Sequence, residues 1–367
     1  MKKLLIFHPY LAPYRIDVYN KFNEITNLKV ALLGSQAEIN TLGYDLKKVN
    51  EDAKFNFTYF SKGFRIGRHL ISTIYYKMIK AFKPDIILAH ELGFNTIIAI
   101  LLRRFFNYQI FITVDDSPAM ATNYSKKREI LRRWILSYLD GCLVVNPGVK
   151  NYLERKYPQY KCKYIYFPII QNDSILTQKI EASKEIAKEY TNIFHLGNKK
   201  IILFVGRLES IKAPEHLIKV YASLKDSNSK LVIVGKGSLA RQLELYIAQN
   251  NLSDQIILTG PLTGKNLYAW YYLAHIFVLP SIHEPFGAVV NEALVAGCFT
   301  IVSDKVGASS LINKTNGVIF KNGKYQELRH ILSKALEEIP LNKLHQSLMP
   351  RSFNDFFNEL KKFMSLC

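Results

Sequence analysis

Short runs of β-branched and other apolar residues alternate with amphipathic helical patterns along most of this 367-residue sequence. A strand, helix, strand repetition is typical of parallel β-sheets with helices packed against them. The repetition occurs twice, before and after a polar stretch, and therefore predicts an α/β protein with two Rossmann-like domains. The predicted strands are residues 4–7, 28–33, 55–60, 85–89, 109–113 and 141–145 in the first series and 201–205, 231–235, 255–259, 276–279 and 300–303 in the second.

The polar stretch lies near residues 168–175, so the expected domains are residues 1–170 and 171–349. The last segment has apolar residues at helical spacing and is too apolar to be a free tail. We therefore expect residues 350–367 to pack back on the first domain. If the two domains face each other, the carboxyl ends of their strands line a central cleft, where ligands of such folds bind. The apolar positions of the last segment are Phe353, Phe356, Phe357, Leu360, Phe363 and Met364.

The formal net charge of +19 is unevenly divided along the chain. Residues 1–170 hold 26 Lys and Arg against 13 Asp and Glu, whereas residues 171–367 hold 23 against 17. A basic first half favours a polyanionic partner, which leaves nucleic acid, an anionic bilayer and a phosphorylated lipid open. No recognisable nucleic-acid reader motif is present, so nucleic acid is not the expected partner.

Composition and spacing disfavour several other classes. The four cysteines form no C-x-x-C pair and have no histidine at zinc spacing, so neither a disulfide framework nor a structural metal is expected. The first apolar run is too short for a signal peptide and is followed by His8 and Pro9. The longest apolar run, residues 92–102, is about half of the roughly 20 residues that a membrane span needs. We expect a cytoplasmic chain that is soluble or peripheral to a membrane.

Residues 276–297 are the most informative stretch for chemistry. They predict a buried strand, a tight loop, a helix and a glycine stop at Gly297. The loop contains Pro285, Phe286 and Gly287 immediately before the helix. The helix N-terminus offers unpaired backbone N–H groups and a positive dipole end, which suit a donor phosphate or sugar hydroxyls.

Glu284 lies in this loop, and Glu292 is expected about two turns into the helix. Both carboxylates can therefore face one elongated ligand while contacting different parts of it. Because carboxylates accept hydrogen bonds from vicinal hydroxyls, Glu292 is expected to hold a ribose diol and Glu284 the hydroxyls of a sugar. The alternative for an arbitrary pair of this spacing is a loop glutamate that caps a helix and a solvated helix glutamate.

Two cations follow the strand at residues 201–205. Arg207, after Gly206, and Lys212 lie where a leaving diphosphate would develop negative charge. Two fixed cations can stabilise that charge as Mg²⁺ does elsewhere. The alternative is a pair of solvated side chains in a basic protein.

Other phosphate and metal motifs are incomplete. Gly235-Lys236-Gly237 follows a strand, but Ala240 stands where a dinucleotide-binding fingerprint has its third glycine. No G-x-x-x-x-G-K-[ST] loop is present. No D-x-D pair is present either, because Asp115 and Asp116 are adjacent rather than spaced. A nicotinamide cofactor is therefore disfavoured, and no metal is expected.

Residues 276–297 resemble the E-x7-E motif of glycosyltransferase family 4, a group of retaining enzymes with the two-domain GT-B fold. Residues 204–208 with Lys212 resemble the diphosphate-binding strand and loop of that family, and residues 231–237 resemble its next glycine turn. The resemblance extends from about residue 200 to 320. Further matching positions are Ser303, Asp304, Gly307, Asn316 and Gly317.

The resemblance implies a function for each domain. The second domain would bind a nucleotide-sugar donor through Glu292, Gly206, Gly235 and residues 285–287. The first domain would bind the acceptor. Transfer would retain the anomeric configuration, with the leaving phosphate accepting the proton of the acceptor. Glu284 would position and stabilise the sugar rather than attack it.

The first domain departs from the glycine-rich loop of many family members at residues 9–15. It resembles an A-P-Y-R subgroup found among bacterial surface-polysaccharide transferases, in which Pro13 opens a helix and Arg15 faces the cleft. Asp115, at the end of the strand at residues 109–113, occupies a position where relatives often carry a histidine near the reacting sugar. An N-cap or turn role for Asp115 is equally open. His90 and Glu91, which follow the strand at residues 85–89, are similar but weaker candidates.

The expected acceptor is a lipid-linked saccharide or oligosaccharide of a bacterial surface polysaccharide such as lipopolysaccharide, O-antigen or capsule. The expected donor is a UDP-hexose. Residues 128–139 combine arginines with Trp134 and aliphatic residues, a pattern suited to a helix on the inner face of an anionic membrane. Residues 62–69 add a second basic cluster. The competing functions are an acceptor-independent nucleotide-sugar hydrolase or epimerase and an inactive GT-B binding protein.

Overall fold

A computed structural model describes residues 1–34, 46–60, 63–66 and 69–366 of the chain. These residues form two compact units. The first unit consists of residues 1–171 and the end of the chain from Phe353, and the second consists of residues 172–352. The boundary between them lies inside the polar stretch at residues 168–175. No helix in the described part of the chain is both long and apolar enough to cross a membrane.

The first unit is an α/β structure with a parallel sheet. Its described strands are β1 Lys3–His8, β2 Asn27–Leu32, β3 Phe57–Tyr59, β4 Phe64–Ile66, β5 His69–Ile71, β6 Ile86–His90, β7 Gln109–Val114, β8 Gly141–Val144 and β9 Lys163–Tyr166. Seven of them form one sheet in the order β3-β2-β1-β6-β7-β8-β9, with every pairing parallel. β4 and β5 form a separate antiparallel pair.

The six strands predicted for this unit are confirmed, with ends that differ by at most two residues. The sequence did not predict β9 or the pair β4 and β5. β9 forms the edge of the sheet, and its residues are exposed or half-buried rather than buried. An edge strand of this kind lacks the continuous apolar run that identifies central strands of a parallel sheet.

Helices pack against the sheet of the first unit. Pro13 begins α1 as predicted, because its fixed φ and missing N–H suit the first turn of a helix. The apolar run at residues 92–102 forms α4, which buries Ala99 and Ile100 against the sheet. The described helices are α1 Pro13–Ile25, α2 Leu46–Asp52, α3 Ile74–Phe82, α4 Phe94–Leu102, α5 Pro118–Thr122, α6 Lys126–Leu136 and α7 Pro147–Lys156.

The second unit repeats the architecture with a parallel sheet of six strands. Its strands are β10 Lys200–Val205, β11 Ser229–Val234, β12 Ile256–Gly260, β13 Ile276–Leu279, β14 Phe299–Ser303 and β15 Gly317–Phe320, in the order β12-β11-β10-β13-β14-β15. Only the short edge strand β15 was not predicted from the sequence. The helices are α8 Asp173–Glu181, α9 Lys184–Ile193, α10 Pro214–Leu224, α11 Ala240–Gln249, α12 Gly264–Leu273, α13 Val289–Val295 and α14 Tyr325–Glu338.

The last helix, α15 Phe353–Phe363, belongs to the first unit, as the sequence predicted. The ring of Phe357 lies 5.4 Å from that of Phe22 on α1, and the ring of Phe363 lies 5.7 Å from that of Phe111 on β7. A Cβ atom at Gly141 would lie 2.6 Å from the Phe363 ring, so β8 has room for this helix only because it begins with glycine. The fold class of two parallel-sheet α/β units is thereby confirmed.

Both sheets reverse their strand order beside their first strand. β1 lies between β2 and β6, and β10 lies between β11 and β13. In open α/β sheets the connections on either side of such a reversal leave in opposite directions, and a crevice opens at the carboxyl ends of the strands. The residues that follow β1, β6, β10 and β13 are therefore the ones placed to bind a ligand.

We predict that Phe357→Ala destabilises the first unit by about 3 to 5 kcal/mol, because it leaves a cavity between α15 and α1. The two tryptophans lie one in each unit, so Trp134 fluorescence in a Trp270→Phe background reports on the first unit alone. Urea denaturation measures the change. Asn358→Ala, on the exposed face of the same helix, should leave the midpoint unchanged. Equal midpoints for the two variants would show that α15 is not part of this core.

Candidate active site

The loop that follows β10 is fixed by close backbone packing against the turn that follows β11. Gly206 N–H donates to the Val234 carbonyl at 3.0 Å, and Leu208 N–H donates to the Lys236 carbonyl at 2.9 Å. Gly235 has a φ of +154°, and a Cβ atom there would lie 1.8 Å from the Gly206 carbonyl oxygen. Only glycine fits at this position. The structure thus gives Gly235 a packing role, while its contact with a nucleotide stays a prediction.

The same turn carries an interaction that the sequence analysis did not single out. The Glu209 carboxylate accepts hydrogen bonds from the Ser238 N–H at 3.0 Å and from the Ser238 hydroxyl at 2.6 Å. These bonds lower the pKa of Glu209 and tie the β10 loop to the start of α11. No sequence pattern identified this pair, because the two residues lie on different connections.

Lys212 and Glu284, predicted separately as catalytic, form an ion pair in the second unit. Lys212 ends a short 3₁₀ turn after β10, and Glu284 lies in the loop after the neighbouring strand β13. Their side chains are 13% and 15% exposed. Burial and the nearby Arg207 cation lower the pKa of Lys212. The pair is thus held at the strand reversal of this sheet.

Arg207 remains exposed beside this pair. Within the described residues its guanidinium makes no hydrogen bond or ion pair, although its charge acts on Lys212 and Glu209. Ala213, directly after Lys212, has a φ of +54°, an unfavourable conformation for a residue other than glycine. Strained backbone of this kind is concentrated at functional sites. The loop thus presents one exposed cation and one partly buried, paired cation to the crevice.

The loop at residues 284–287 is held by the segment after β14. Glu284 N–H donates to the Lys305 carbonyl at 3.1 Å, and Gly307 N–H donates to the Glu284 carbonyl at 2.9 Å. A Cβ atom at Gly307 would lie 1.9 Å from the Pro285 carbonyl oxygen. Gly287 has a φ of +93° and makes the predicted turn into α13. The position of Glu284 therefore depends on two glycines.

Phe286 and Glu292, both predicted to bind the donor, lie in different environments around the start of α13. Phe286 is 2% exposed, so its side chain belongs to the core and only its backbone is available to a ligand. Glu292 lies in the first turn of α13, half-buried, where a negative charge suits the helix dipole. Burial and the Glu292 carboxylate raise the pKa of the buried Tyr271 hydroxyl. A ribose contact by Glu292 stays a prediction, and Gly297 ends the helix as predicted.

A second polar cluster lies at the carboxyl ends of β1, β6 and β7 in the first unit. The Arg15 guanidinium Nη2 donates to both oxygens of Asp115, at 2.7 and 2.8 Å. Arg15 is 4% exposed, and Asp115 raises its pKa against the effect of burial. Burial acts to raise the pKa of Asp115, but Arg15 and His90 lower it overall. Arg15 and Asp115 were predicted as separate site residues, and the fold brings them together.

Two histidines lie against each other in this cluster. The rings of His8 and His90 are 4.3 Å apart, and His90 Nδ1 is 2.9 Å from the Thr113 hydroxyl. Burial lowers the pKa of His90 to about 4, and burial with the His90 and Arg15 charges lowers that of His8. Both rings are therefore neutral near pH 7. His8 ends the first strand at the reversal, but no motif in the sequence marks it as a site residue.

The predicted membrane helix at residues 128–139 is partly wrong. Arg132 is 3% exposed and donates to the Ala121 carbonyl at 2.8 Å, and Ile135 is fully buried. The guanidinium carbon of Arg132 lies 3.6 Å from the centre of the Tyr124 ring. The helix therefore turns this arginine and its apolar stripe into the first unit rather than outward. The second basic cluster, Lys62, Arg65, Arg68 and His69, has side chains outside the described residues.

Residues 187–348 match the family model described as glycosyl transferases group 1. The match lies within the second unit and contains Arg207, Lys212, Glu284 and Glu292. This part of the chain is therefore similar to a glycosyl transferases group 1 domain.

The similar curated proteins are glycosyltransferases. The chain is 37% identical over 123 residues to an uncharacterized glycosyltransferase of Methanocaldococcus jannaschii. The aligned region covers 33% of this chain and 32% of the relative. The chain is also 26% identical over 261 residues to a Campylobacter jejuni enzyme named N-acetylgalactosamine-N,N'-diacetylbacillosaminyl-diphospho-undecaprenol 4-alpha-N-acetylgalactosaminyltransferase. This aligned region covers 67% of this chain and 66% of the relative. The chain thus spans less than two thirds of the length of these relatives.

Solved structures share the fold over nearly the whole chain. Sucrose-phosphate synthase of Thermosynechococcus elongatus has a TM-score of 0.72 at 15% identity and covers 100% of this chain and 98% of its own. Anabaena HepE with UDP and glucose has a TM-score of 0.70 at 15% identity and full coverage of both chains, 100% and 100%. The lipopolysaccharide outer core galactosyltransferase WaaB has a TM-score of 0.68 at 16% identity, with 100% and 99% covered. These likenesses show the GT-B fold.

We predict that Gly307→Ala displaces the loop that carries Glu284, because the added methyl group collides with the Pro285 carbonyl. Overpacking of this kind costs about 1–3 kcal/mol. Thermal denaturation should show a lower melting temperature for the second unit. Gly197→Ala is the matched control, since nothing lies within 4 Å of a Cβ atom there. A Gly307→Ala protein as stable as Gly197→Ala would mean that the loop does not need this close approach.

Proposed function

We propose that this protein is a retaining glycosyltransferase of family 4 that transfers a hexose-type sugar from a UDP-sugar to a lipid-linked or saccharide acceptor in bacterial surface-polysaccharide synthesis. The observation that carries the proposal is the arrangement of Arg207, Lys212 and Glu284 at the strand reversal of the second unit. The match to the glycosyl transferases group 1 model includes all three residues.

The chemistry of this arrangement suits departure of a nucleoside diphosphate. As the glycosidic bond breaks, negative charge develops on the diphosphate, and fixed cations at that point stabilise the transition state. Arg207 supplies a planar guanidinium for bidentate phosphate contacts, and Lys212 supplies a compact ammonium. We propose that these two cations act without a metal ion.

Retention follows in this proposal from front-face attack, with a leaving phosphate oxygen accepting the proton of the acceptor hydroxyl. Glu284 would then hold sugar hydroxyls rather than attack the anomeric carbon. Its ion pair with Lys212 supports a positioning role, because the pair restricts the carboxylate to one orientation. The UDP donor is supported by the fold likeness to HepE, whose structure contains UDP and glucose.

The acceptor class is supported by the Campylobacter relative, whose name specifies a diphospho-undecaprenol acceptor. The likeness to WaaB, a lipopolysaccharide galactosyltransferase, agrees with a surface-polysaccharide pathway. An acceptor of this kind is embedded in the cytoplasmic membrane. We therefore propose that the protein works in the cytoplasm, on the inner face of that membrane, and that nucleic acid is not a partner.

One exposed face of the first unit fits an anionic bilayer. We call it the basic aromatic face. Phe105 is 77% exposed and Ile130 is 68% exposed. The Arg103 guanidinium donates to the Tyr138 carbonyl at 2.8 Å and so links the end of α4 to the end of α6. Apolar side chains can enter the interface while the arginines contact lipid phosphates. The face comprises Leu101, Arg104, Phe105, Ile130, Arg133 and Tyr138.

We predict that UDP stabilises the wild-type protein without added metal more than GDP or ADP does. At 100 times the dissociation constant the gain is about 2.7 kcal/mol, which a thermal-shift assay detects. Glu292→Gln and Arg207→Met should each weaken UDP binding roughly tenfold or more, because each removes a hydrogen bond to a charged group. Arg241→Met, an exposed arginine of the same unit, is the control.

Transfer assays separate the proposed activity from its alternatives. Nucleotide release that rises with added acceptor identifies a transferase, and release that does not identifies a hydrolase or epimerase. No binding of any nucleotide to a folded protein would favour an inactive relative. The anomeric configuration of the product, read by NMR, tests retention, and activity in excess EDTA tests metal independence.

We predict that Arg104→Ala combined with Arg133→Ala weakens binding to vesicles of phosphatidylglycerol and phosphatidylethanolamine about 30-fold in low salt. Each basic residue near an anionic surface contributes about 1 kcal/mol. Co-sedimentation measures the partition. Arg241→Ala combined with Lys334→Ala removes the same charge from the second unit and should change it little. An equal loss in both double variants would show that net charge, rather than the basic aromatic face, drives binding.

A further inference from the structure

The polar cluster of the first unit has buried hydrogen-bonding groups that its own members do not satisfy. In the described part of the chain, His8 Nε2, Arg15 Nε and Asp116 Oδ1 have no hydrogen-bond partner. The three residues are 3%, 4% and 1% exposed. Buried polar groups in native proteins are nearly always paired, so three unpaired atoms in one cluster require an explanation. Their position at the carboxyl ends of β1 and β7 and at the start of α1 points to a binding site.

Glu91 has the most unusual backbone of this cluster. It follows β6 directly and has a φ of +52°, which is unfavourable for a residue with a Cβ atom. Its N–H donates to the Thr113 carbonyl at 2.8 Å, and its carbonyl accepts the Thr96 hydroxyl at 2.7 Å. These two bonds hold the strained conformation. Strain that the surroundings impose at a site of this kind is often part of its function.

The side chain of Glu91 differs from the other carboxylates of the cluster. Asp115 is engaged by Arg15, and Asp116 accepts the hydroxyl of Tyr124. Glu91 Oε1 lies 4.0 Å from His90 Nε2, and within the described residues its carboxylate accepts no hydrogen bond. The side chain is 36% exposed. Asp116 Oδ1 is also unpaired but Asp116 is only 1% exposed, so Glu91 is the carboxylate of this cluster that an incoming molecule can reach.

We propose that Glu91 contacts the nucleophilic hydroxyl of the saccharide acceptor and accepts a hydrogen bond from it. This inference rests on the proposed function. Arg15 with Asp115, and His8 with His90, act as positioning residues that fix the floor of the site. The hydroxyl, rather than a lipid or a phosphate, is the group that fits, because Glu91 supplies an acceptor and repels anions. No proton moves to Glu91 in this step, so the reaction balance of the transfer is unchanged.

The contact depends on pH in a defined direction. Burial and the neighbouring carboxylates raise the pKa of Glu91 to about 7. Below that pH the carboxyl is protonated and is a weaker acceptor, so the KM for the acceptor rises as the pH falls. The groups that face Glu91 are His90, Asp115, Asp116, Arg15, Arg128 and Tyr10. Of these, the two aspartates raise its pKa, and Arg128 and Arg15 lower it.

The test uses membranes of the source organism with the gene for this chain deleted, which supply the natural acceptor, and the radiolabelled sugar donor of the nucleotide selected by thermal shift. Glu91→Ala should raise the acceptor KM roughly tenfold or more, the change expected on losing one hydrogen bond to a charged group. Donor binding should be unchanged. Glu91→Gln should keep more activity and lose the rise of KM below pH 7. Glu154→Gln, an exposed glutamate of the same unit, is the control.

Glu91→Gly separates loss of the hydrogen bond from loss of stability. Glycine relieves the strained φ at this position and should therefore raise the melting temperature. A more stable protein with a raised acceptor KM supports the proposal and excludes unfolding as the cause. An unchanged acceptor KM in both Glu91→Ala and Glu91→Gly overturns it. Failure of the wild-type protein to incorporate label, or to bind any nucleotide, would overturn the proposed function instead.

Discussion

The parallel pairing of β1 with both β2 and β6, and of β10 with both β11 and β13, is the constraint on which both candidate sites depend. In each unit the first strand pairs with the next strand in sequence on one side and with a later strand on the other, so the connections pass over opposite faces of the sheet. The carboxyl ends of these strands are left uncovered as a result. His8, His90, Arg207 and Glu284 lie at or just beyond these ends, although long stretches of sequence separate them.

At each of the two candidate sites, a basic side chain and an acidic side chain are held together in an ion pair. Arg15 with Asp115 is a buried bidentate pair, and Lys212 with Glu284 is a partly buried one. Ion pairs of this kind contribute little net stability, because desolvation offsets their attraction. Their effect is geometric, since each pair restricts two long side chains to one arrangement. Beside them, Arg207 in one unit and Glu91 in the other make no side-chain hydrogen bond within the described residues, and these two groups are available to a ligand.

The strands of both sheets were predictable because central strands of a parallel sheet are buried on both faces and read as continuous apolar runs. β9, β15 and the pair β4 and β5 were not, since edge and accessory strands bury less and carry no such run. The helix α15 was predictable from its aromatic spacing. The inward orientation of Arg132 was not predictable, because an arginine in a helix is expected at the surface unless its buried partners are known.

The sequence by itself determined the alternation of strands and helices, the two-unit organisation and the residue types that can hold a diphosphate, because these depend on local patterns. It also identified Glu284, Lys212, Arg15 and Asp115 one at a time. Only the tertiary structure decided which of them pair, that Phe286 is core, and that Gly235 and Gly307 serve close backbone approach. The reason is physical: pairing, burial and the fit of a Cβ atom depend on neighbours brought together from distant parts of the chain.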